Sequence, residues 1–184
     1  MPSTHQAILD ALTRYQPRTM TERADVERVR ALLDAGDPWH RSSPLHVTAS
    51  ALIVHPDSGR VLLRWHQRHQ SWLLVGGHAD PGECDPLAIA LREGREETGL
   101  PDLAPWPATD VRHLVIVPVP ANDREPAHEH ADLRFVLATQ VPEAARPENP
   151  EAALRWLSPD EARKAVTEVN ILDTLSLAEP LLAH

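Results

Sequence analysis

Five of the chain's seven glycines, Gly76, Gly77, Gly82, Gly94 and Gly99, fall between residues 76 and 100. Glycine collects where backbone must take a positive φ or come very close to something else. The stretch from Pro86 to Thr98 lies inside this frame and reads as a helix. The expected unit is therefore a loop, a helix and a second loop, with Gly76 and Gly77 in the first loop. At about 100° per residue, Leu87, Leu91, Gly94 and Thr98 share one side of that helix and supply its expected apolar face.

On another side stand Glu93, Glu96 and Glu97. Carboxylates three and four residues apart are neighbours on a helix and repel by a few tenths of a kcal/mol or more. They also crowd the helix C-terminus, where the macrodipole already disfavours negative charge. A bound cation would relieve both penalties, and hard oxygen ligands packed this tightly suit Mg2+ or Mn2+. The plainer alternative is a solvated acidic face. It would also have to account for the glycine frame, for Arg92 and for Glu83.

The segment resembles the Nudix box, G-x5-E-x7-R-E-U-x-E-E-x-G-U with U apolar. Gly77 and Glu83 match its first part; Arg92, Glu93, Glu96, Glu97, Gly99 and Leu100 match its second. Three departures stand out. Eight residues instead of seven separate Glu83 from Arg92, Val75 stands where proline is frequent, and Gly94 replaces the usual aliphatic residue. Gly94 is expected to leave a gap in the packing under the acidic face and to lower helix propensity by about 1 kcal/mol relative to Ala.

The resemblance implies a Nudix-type α/β/α sandwich with a mixed central sheet, and a metal-dependent hydrolase that cuts a phosphoanhydride, NDP-X to NMP plus P-X. By that resemblance Glu93, Glu96 and Glu97 hold Mg2+ or Mn2+, and Glu96 or Glu97 stands nearest the attacking water. Arg92 orients Glu96, to which the i,i+4 spacing also points. Glu83 approaches from the loop as a supporting group or occasional ligand, and Gly76 and Gly77 let backbone come near the phosphates. Some relatives place a further carboxylate after the box, for which Glu129 and Asp132 are candidates, and Arg134 is a candidate phosphate contact. Two other functions share the fold. A silent nucleotide-binding or regulatory module would usually have lost box carboxylates, all of which are kept here. An isoprenoid-diphosphate isomerase would use a cysteine ahead of the box, where this chain has none.

Outside the box, the pattern supplies the rest of such a fold over about residues 45 to 182. Residues 46–54 and 60–65 read as a hairpin around Pro56-Asp57-Ser58-Gly59, and 71–75 as a third strand. Residues 111–119 and 133–141 read as two more strands. Between them His128-Glu129-His130-Ala131-Asp132 reads as the end of a solvent-exposed loop. Trp65 and Trp72 are expected to flank the pocket side of the sheet. Leu154 to Leu157 is a short strand, and Ser158-Pro159-Asp160-Glu161 opens a helix as a capping box; a last helix covers about 171–182. Residues 1–44 form a helical extension with apolar stripes at Ile8, Leu12, Val26, Val29 and Leu33, closed by Gly36 and Pro38. Simple packing is its expected role, with a lid or a dimer arm as alternatives. The Nudix domain proper is expected over 45–184.

Composition narrows the partners. The net charge is −9, so duplex nucleic acid, which is gripped by displacing counterions with Lys and Arg, is not expected. A small-molecule nucleotide or diphosphate is the expected ligand, and a homodimer is compatible with the sequence. One cysteine, Cys84, permits no internal disulfide and no thiolate metal cluster. With no apolar run suited to a signal peptide or membrane span, a cytoplasmic location is expected.

Overall fold

The computed structural model describes residues 5–123 and 125–183; the first four residues of the expected extension, and His184, lie outside them. Strands β1 (Leu45–His55), β2 (Arg60–His66), β3 (Ser71–Leu73), β4 (Val75–His78), β5 (Ala104–Pro105), β6 (His113–Val119), β7 (His128–Ala138) and β8 (Leu154–Leu157) join in one sheet. Its main path runs β3-β2-β1-β7-β5, with β4 on β1, β6 on β7 and β8 on β2. β1 and β7 are parallel, from Leu45 opposite Glu129 to Val54 opposite Ala138. All other pairs are antiparallel. The mixed sheet matches the expected fold.

Both faces of the sheet are covered, and the alternation in β1 shows why. Val47, Ala49, Ala51 and Ile53 enter one core with Ile8, Val29 and Ile89. The intervening Leu52 and Val54 enter a second core with Ala162, Ile171 and Leu175. Successive strand residues point to opposite faces, so a run rich in aliphatic residues suits a strand buried on both. Helices α1 (Gln6–Arg14), α2 (Met20–Ala35) and α3 (Pro86–Thr98) contribute to the first core, and α4 (Pro159–Ala165) and α5 (Val169–Leu182) to the second. Among the described residues no helix is long and apolar enough to cross a membrane.

The N-terminal helices pack on the edge of β6. The Tyr15 hydroxyl accepts a hydrogen bond from the Leu114 amide at 3.1 Å, and Asp25 accepts one from the Ile116 amide at 3.0 Å. Tyr15 in turn donates to Glu22 at 2.5 Å. Two donors of an edge strand are thus satisfied by side chains and not by water.

Several expectations need correction. The third strand divides after Leu73: β3 pairs with β2, whereas β4 pairs with β1. Gly76 and Gly77 therefore lie on a strand, opposite Ser50 and Ala49, and not in a loop. Residues 128–132 are strand as well, since His130 lies between His46 of β1 and Val117 of β6. Their polar side chains suggested a loop, but a sheet face that lines a cleft carries polar side chains too. Helix α3 is rotated from the expected face: Ile89, Ala90, Gly94 and Thr98 are buried, while Leu87 and Leu91 are only partly so. No gap lies under Gly94, where an added Cβ would meet Leu103 Cδ1 at 3.0 Å, with Leu137 and Ile53 behind it. β5 had no sequence signal, being two residues long.

Candidate functional site

Helix α3 is fixed at both ends by local chemistry. Asp85 caps its start, accepting from the Leu87 and Ala88 amides, and Pro86 takes the first helical position, where a missing N–H costs nothing. Gly99 ends it at φ 65°, the left-handed turn that glycine adopts freely. On that helix Arg92 is the hub. Its Nε and Nη2 each donate to one oxygen of Glu83 at 2.9 Å. Its Nη1 reaches Glu93 and Glu96, both at 2.9 Å, and Nη2 also donates to the His78 carbonyl at 2.9 Å. The additional residue in the spacer does not keep Glu83 from this two-pronged contact, which fits the planar guanidinium fork. Glu83 also accepts from the Asp80 amide at 2.8 Å. The hydrogen bonds from Arg92 hold the Glu83 carboxyl below the usual range despite some burial.

The remaining carboxylates differ in exposure. The Glu96 side chain is 56% exposed, whereas that of Glu97 is only 13% exposed. Glu97 accepts from the Gly76 amide at 3.0 Å and faces Arg64 Nη1 at 3.3 Å. Burial pushes Glu97 up to about 7, against the opposing pull of Arg64 and the Gly76 N–H. Burial raises Glu93 also, against the pull of Arg92. Gly77 leaves room for Glu93 in this arrangement, because a Cβ there would lie 2.5 Å from Glu93 Oε1 and displace the carboxylate. Buried carboxylates that burial drives toward the neutral form are a donor set suited to a hard divalent cation, which would stabilise their charge. The residues present therefore fit Mg2+ or Mn2+.

Glu97, Gly76 and Gly77 open onto a cleft of about 530 Å³. Thr48 and Ser50 of β1, Arg64 and His66 of β2, and Asp132 and Arg134 of β7 also line it. Asp132 and Arg134 are buried there as an ion pair at 2.8 Å. Thr48 and Ser50 donate to Asp132. Burial pushes the Asp132 carboxyl up, but Arg134 and these hydroxyls together hold it below its ordinary value. Arg134 also donates to the Asn170 carbonyl and side chain and to Thr174. Glu129 lies apart from this group, ion-paired with Arg28 of α2.

Trp65 and Trp72 pack edge to face at 5.4 Å between ring centroids. They do not line the cleft; Arg64 and His66, on either side of Trp65, do. Strand alternation sends Trp65 the other way. Arg64 was missed because no motif marks it, although its alternation with Trp65 is a signal. Thr48 and Ser50, two hydroxyls in an otherwise aliphatic strand, are another.

Comparison with known proteins agrees with this architecture. The family model described as NUDIX domain matches residues 44–175. A protein of Lactococcus lactis subsp. cremoris named "Probable DHNTP pyrophosphohydrolase" is 32% identical over 128 residues, 69% of this chain and 75% of its own length. The structure of a NUDIX family hydrolase from Clostridium perfringens superposes with a TM-score of 0.59 at 27% identity, covering 75% of this chain and 98% of that one. The E. coli dihydroneopterin triphosphate pyrophosphohydrolase shares the fold, with a TM-score of 0.55 at 18% identity over 73% of this chain and 94% of its own. The carboxylate row on α3, the glycine strand beneath it and these matches agree: the chain belongs to the NUDIX domain family, as a Nudix hydrolase.

Proposed function

We propose that the protein hydrolyses a phosphoanhydride bond in the triphosphate chain of a bicyclic heterocycle, a purine or a pterin, with Mg2+ or Mn2+ held by Glu93, Glu96 and Glu97. The observation that carries this reading is the pairing of Glu97 with the Gly76 amide and Arg64 at the edge of the cleft. The divalent ion would neutralise charge on the phosphate oxygens and lower the pKa of water.

The protein's own residues do the rest. Glu97, with one oxygen held by the Gly76 amide and the other by Arg64, is the group that receives the proton of the attacking water. Oxygen from that water bonds to phosphorus as the P–O–P bridge breaks, giving two phosphate products and one released proton. Arg92 fixes Glu83, Glu93 and Glu96 in one array. Glu83, gripped through both oxygens by Arg92, anchors that arginine in this reading. Arg64 and Arg68 supply positive charge along the cleft, and Leu73, Leu74 and Ile171 an apolar wall for a ring. The choice of heterocycle rests on the Lactococcus relative's name and on the cleft's size. A cytoplasmic location suits such a substrate.

The test replaces Glu97 with Gln and measures phosphate products with Mg2+. The panel should include purine nucleoside triphosphates, a pterin triphosphate and a dinucleoside polyphosphate. Loss of a positioned base is expected to slow turnover about a hundredfold to ten-thousandfold. Near-normal turnover of E97Q would refute the assignment of Glu97. A preference for the dinucleoside polyphosphate would refute the assigned substrate class.

A further inference from the structure

His78, His128 and His130 line the same cleft, and with the buried His46 they make a second cluster of potential ligands, chemically unlike the first. His46 of β1 lies opposite His130 of β7, and His78 of β4 lies opposite Thr48, two residues along β1. The sheet thus brings three imidazoles from three strands to one patch. One ring nitrogen from each of His46, His78 and His130 lies within 4.8 Å of the others. A fourth ring, His128, stands two residues from His130, on the same side of β7.

The hydrogen bonds show which way these rings present their lone pairs. His46 Nδ1 is 3.0 Å from the Ser43 carbonyl, and His128 Nδ1 is 2.9 Å from the Pro126 carbonyl. A carbonyl only accepts, so Nδ1 carries a hydrogen in both, which leaves Nε2 as the nitrogen able to present a lone pair. Those two Nε2 atoms each face another imidazole: His46 Nε2 is 3.1 Å from His78 Nε2, and His128 Nε2 is 3.1 Å from His130 Nε2. A backbone carbonyl on the far nitrogen is the arrangement that fixes the tautomer and orientation of metal-bound histidines. Burial lowers His46, and brings His78 to about 4 and His130 to about 3. That burial favours the neutral imidazole in these three rings, the form that coordinates a metal.

We propose that His46, His78 and His130 form a transition-metal site, best fitted to Zn2+, with the His128 ring as an adjacent donor. All-imidazole ligands favour zinc, copper, nickel or iron over magnesium. Three histidines leave a fourth tetrahedral position open. Zn–N bonds of about 2.0–2.1 Å at tetrahedral angles put ligand nitrogens roughly 3.4 Å apart, so binding draws together nitrogens that here lie within 4.8 Å of one another. The site is distinct from the carboxylates of α3, and it stands whether or not the hydrolytic reading does. His78 connects the two, since its carbonyl accepts from Arg92.

The test uses the full chain, stripped with a chelator and titrated with Zn2+ alone by calorimetry, and with Co2+ alone by visible absorption. One tight equivalent of Zn2+ and a tetrahedral Co2+ spectrum are expected. H78Q and H130Q, which keep polarity and most of the volume, should each weaken Zn2+ by on the order of a hundredfold or more. E97Q should keep both signals. Absence of Zn2+ uptake, uptake undiminished in H78Q and H130Q, or equal loss in E97Q would each overturn the site. Circular dichroism of each variant separates loss of the site from loss of the fold.

Discussion

Adjacent glycines in β4 divide the work between fold and site. Gly76 sits at φ +152°, and a Cβ there would lie 2.6 Å from the Ala49 carbonyl and from Ser50 Cα. G76A must strain or separate two paired strands, and a loss of at least about 1–3 kcal/mol is expected in urea unfolding. At Gly77 the obstacle is the end of a side chain, Glu93. G77A should fold with stability within about 1 kcal/mol of the parent while losing at least tenfold in Mg2+-dependent turnover, on the order expected when a supporting contact is displaced. Equal effects of the two substitutions on stability would contradict this division. His113 supplies a pH dependence at the same scale. It is buried, bonded to Thr174 at 2.9 Å, and brought to about 4 by burial and then by Arg134, against Glu22, Asp173 and Asp132. The unfolded chain, with an ordinary histidine near 6.5, binds the proton more readily between pH 6.5 and 4. Stability therefore falls as pH falls through that window, by about 3 kcal/mol in full. Unfolding curves of wild type and H113Q from pH 7.5 to 4 should diverge accordingly, and parallel curves would remove His113 as the cause.

Among the elements, those with chemistry within a few residues of one another were legible in advance. Helix α3 begins at its Asp85-Pro86 cap and ends at Gly99. Helix α4 begins at the Ser158–Glu161 capping box. The hinge between β3 and β4 was not legible, because it depends on which edge of β1 is free. The strand character of 128–132 was masked in the same way, since its partners lie more than eighty residues earlier in β1 and next door in β6. The carboxylate row and Arg92 were legible as a motif, but Arg64 and the hydroxyls around Asp132 were not, because each gains its meaning only across the sheet. The rotated face of α3 has a specific cause: Glu93 and Glu97 stand beside Ala90, Gly94 and Thr98, so the site is built against the core and not opposite to it. At Gly94 an added Cβ would already meet Leu103 Cδ1 at 3.0 Å. G94L should cost about 1–3 kcal/mol by overpacking against Leu103, read from denaturant midpoints. A stabilised G94L would restore the gap that the sequence suggested.

For the molecule as a whole, the NUDIX match begins at residue 44, yet Ile8, Leu12, Val26 and Val29 lie in the same core as Leu114 and Leu133. Removing residues 1–36 would uncover that core and leave the Leu114 and Ile116 amides without their side-chain acceptors. Water replaces those acceptors, so the loss of stability comes mainly from the apolar surface laid bare. The truncated protein should unfold at lower urea and self-associate through the bared β6 edge, as read by light scattering. A monomer of unchanged stability would show the extension to be dispensable. That arrangement also sets the order of events during synthesis. Asp25 and Ile116 are 91 residues apart in the chain, so α1 and α2 leave the ribosome long before the strand they cover exists. Their apolar stripes must wait for β6, which makes docking of the extension a late, long-range step. The nascent chain is most exposed to wrong partners in the interval before it.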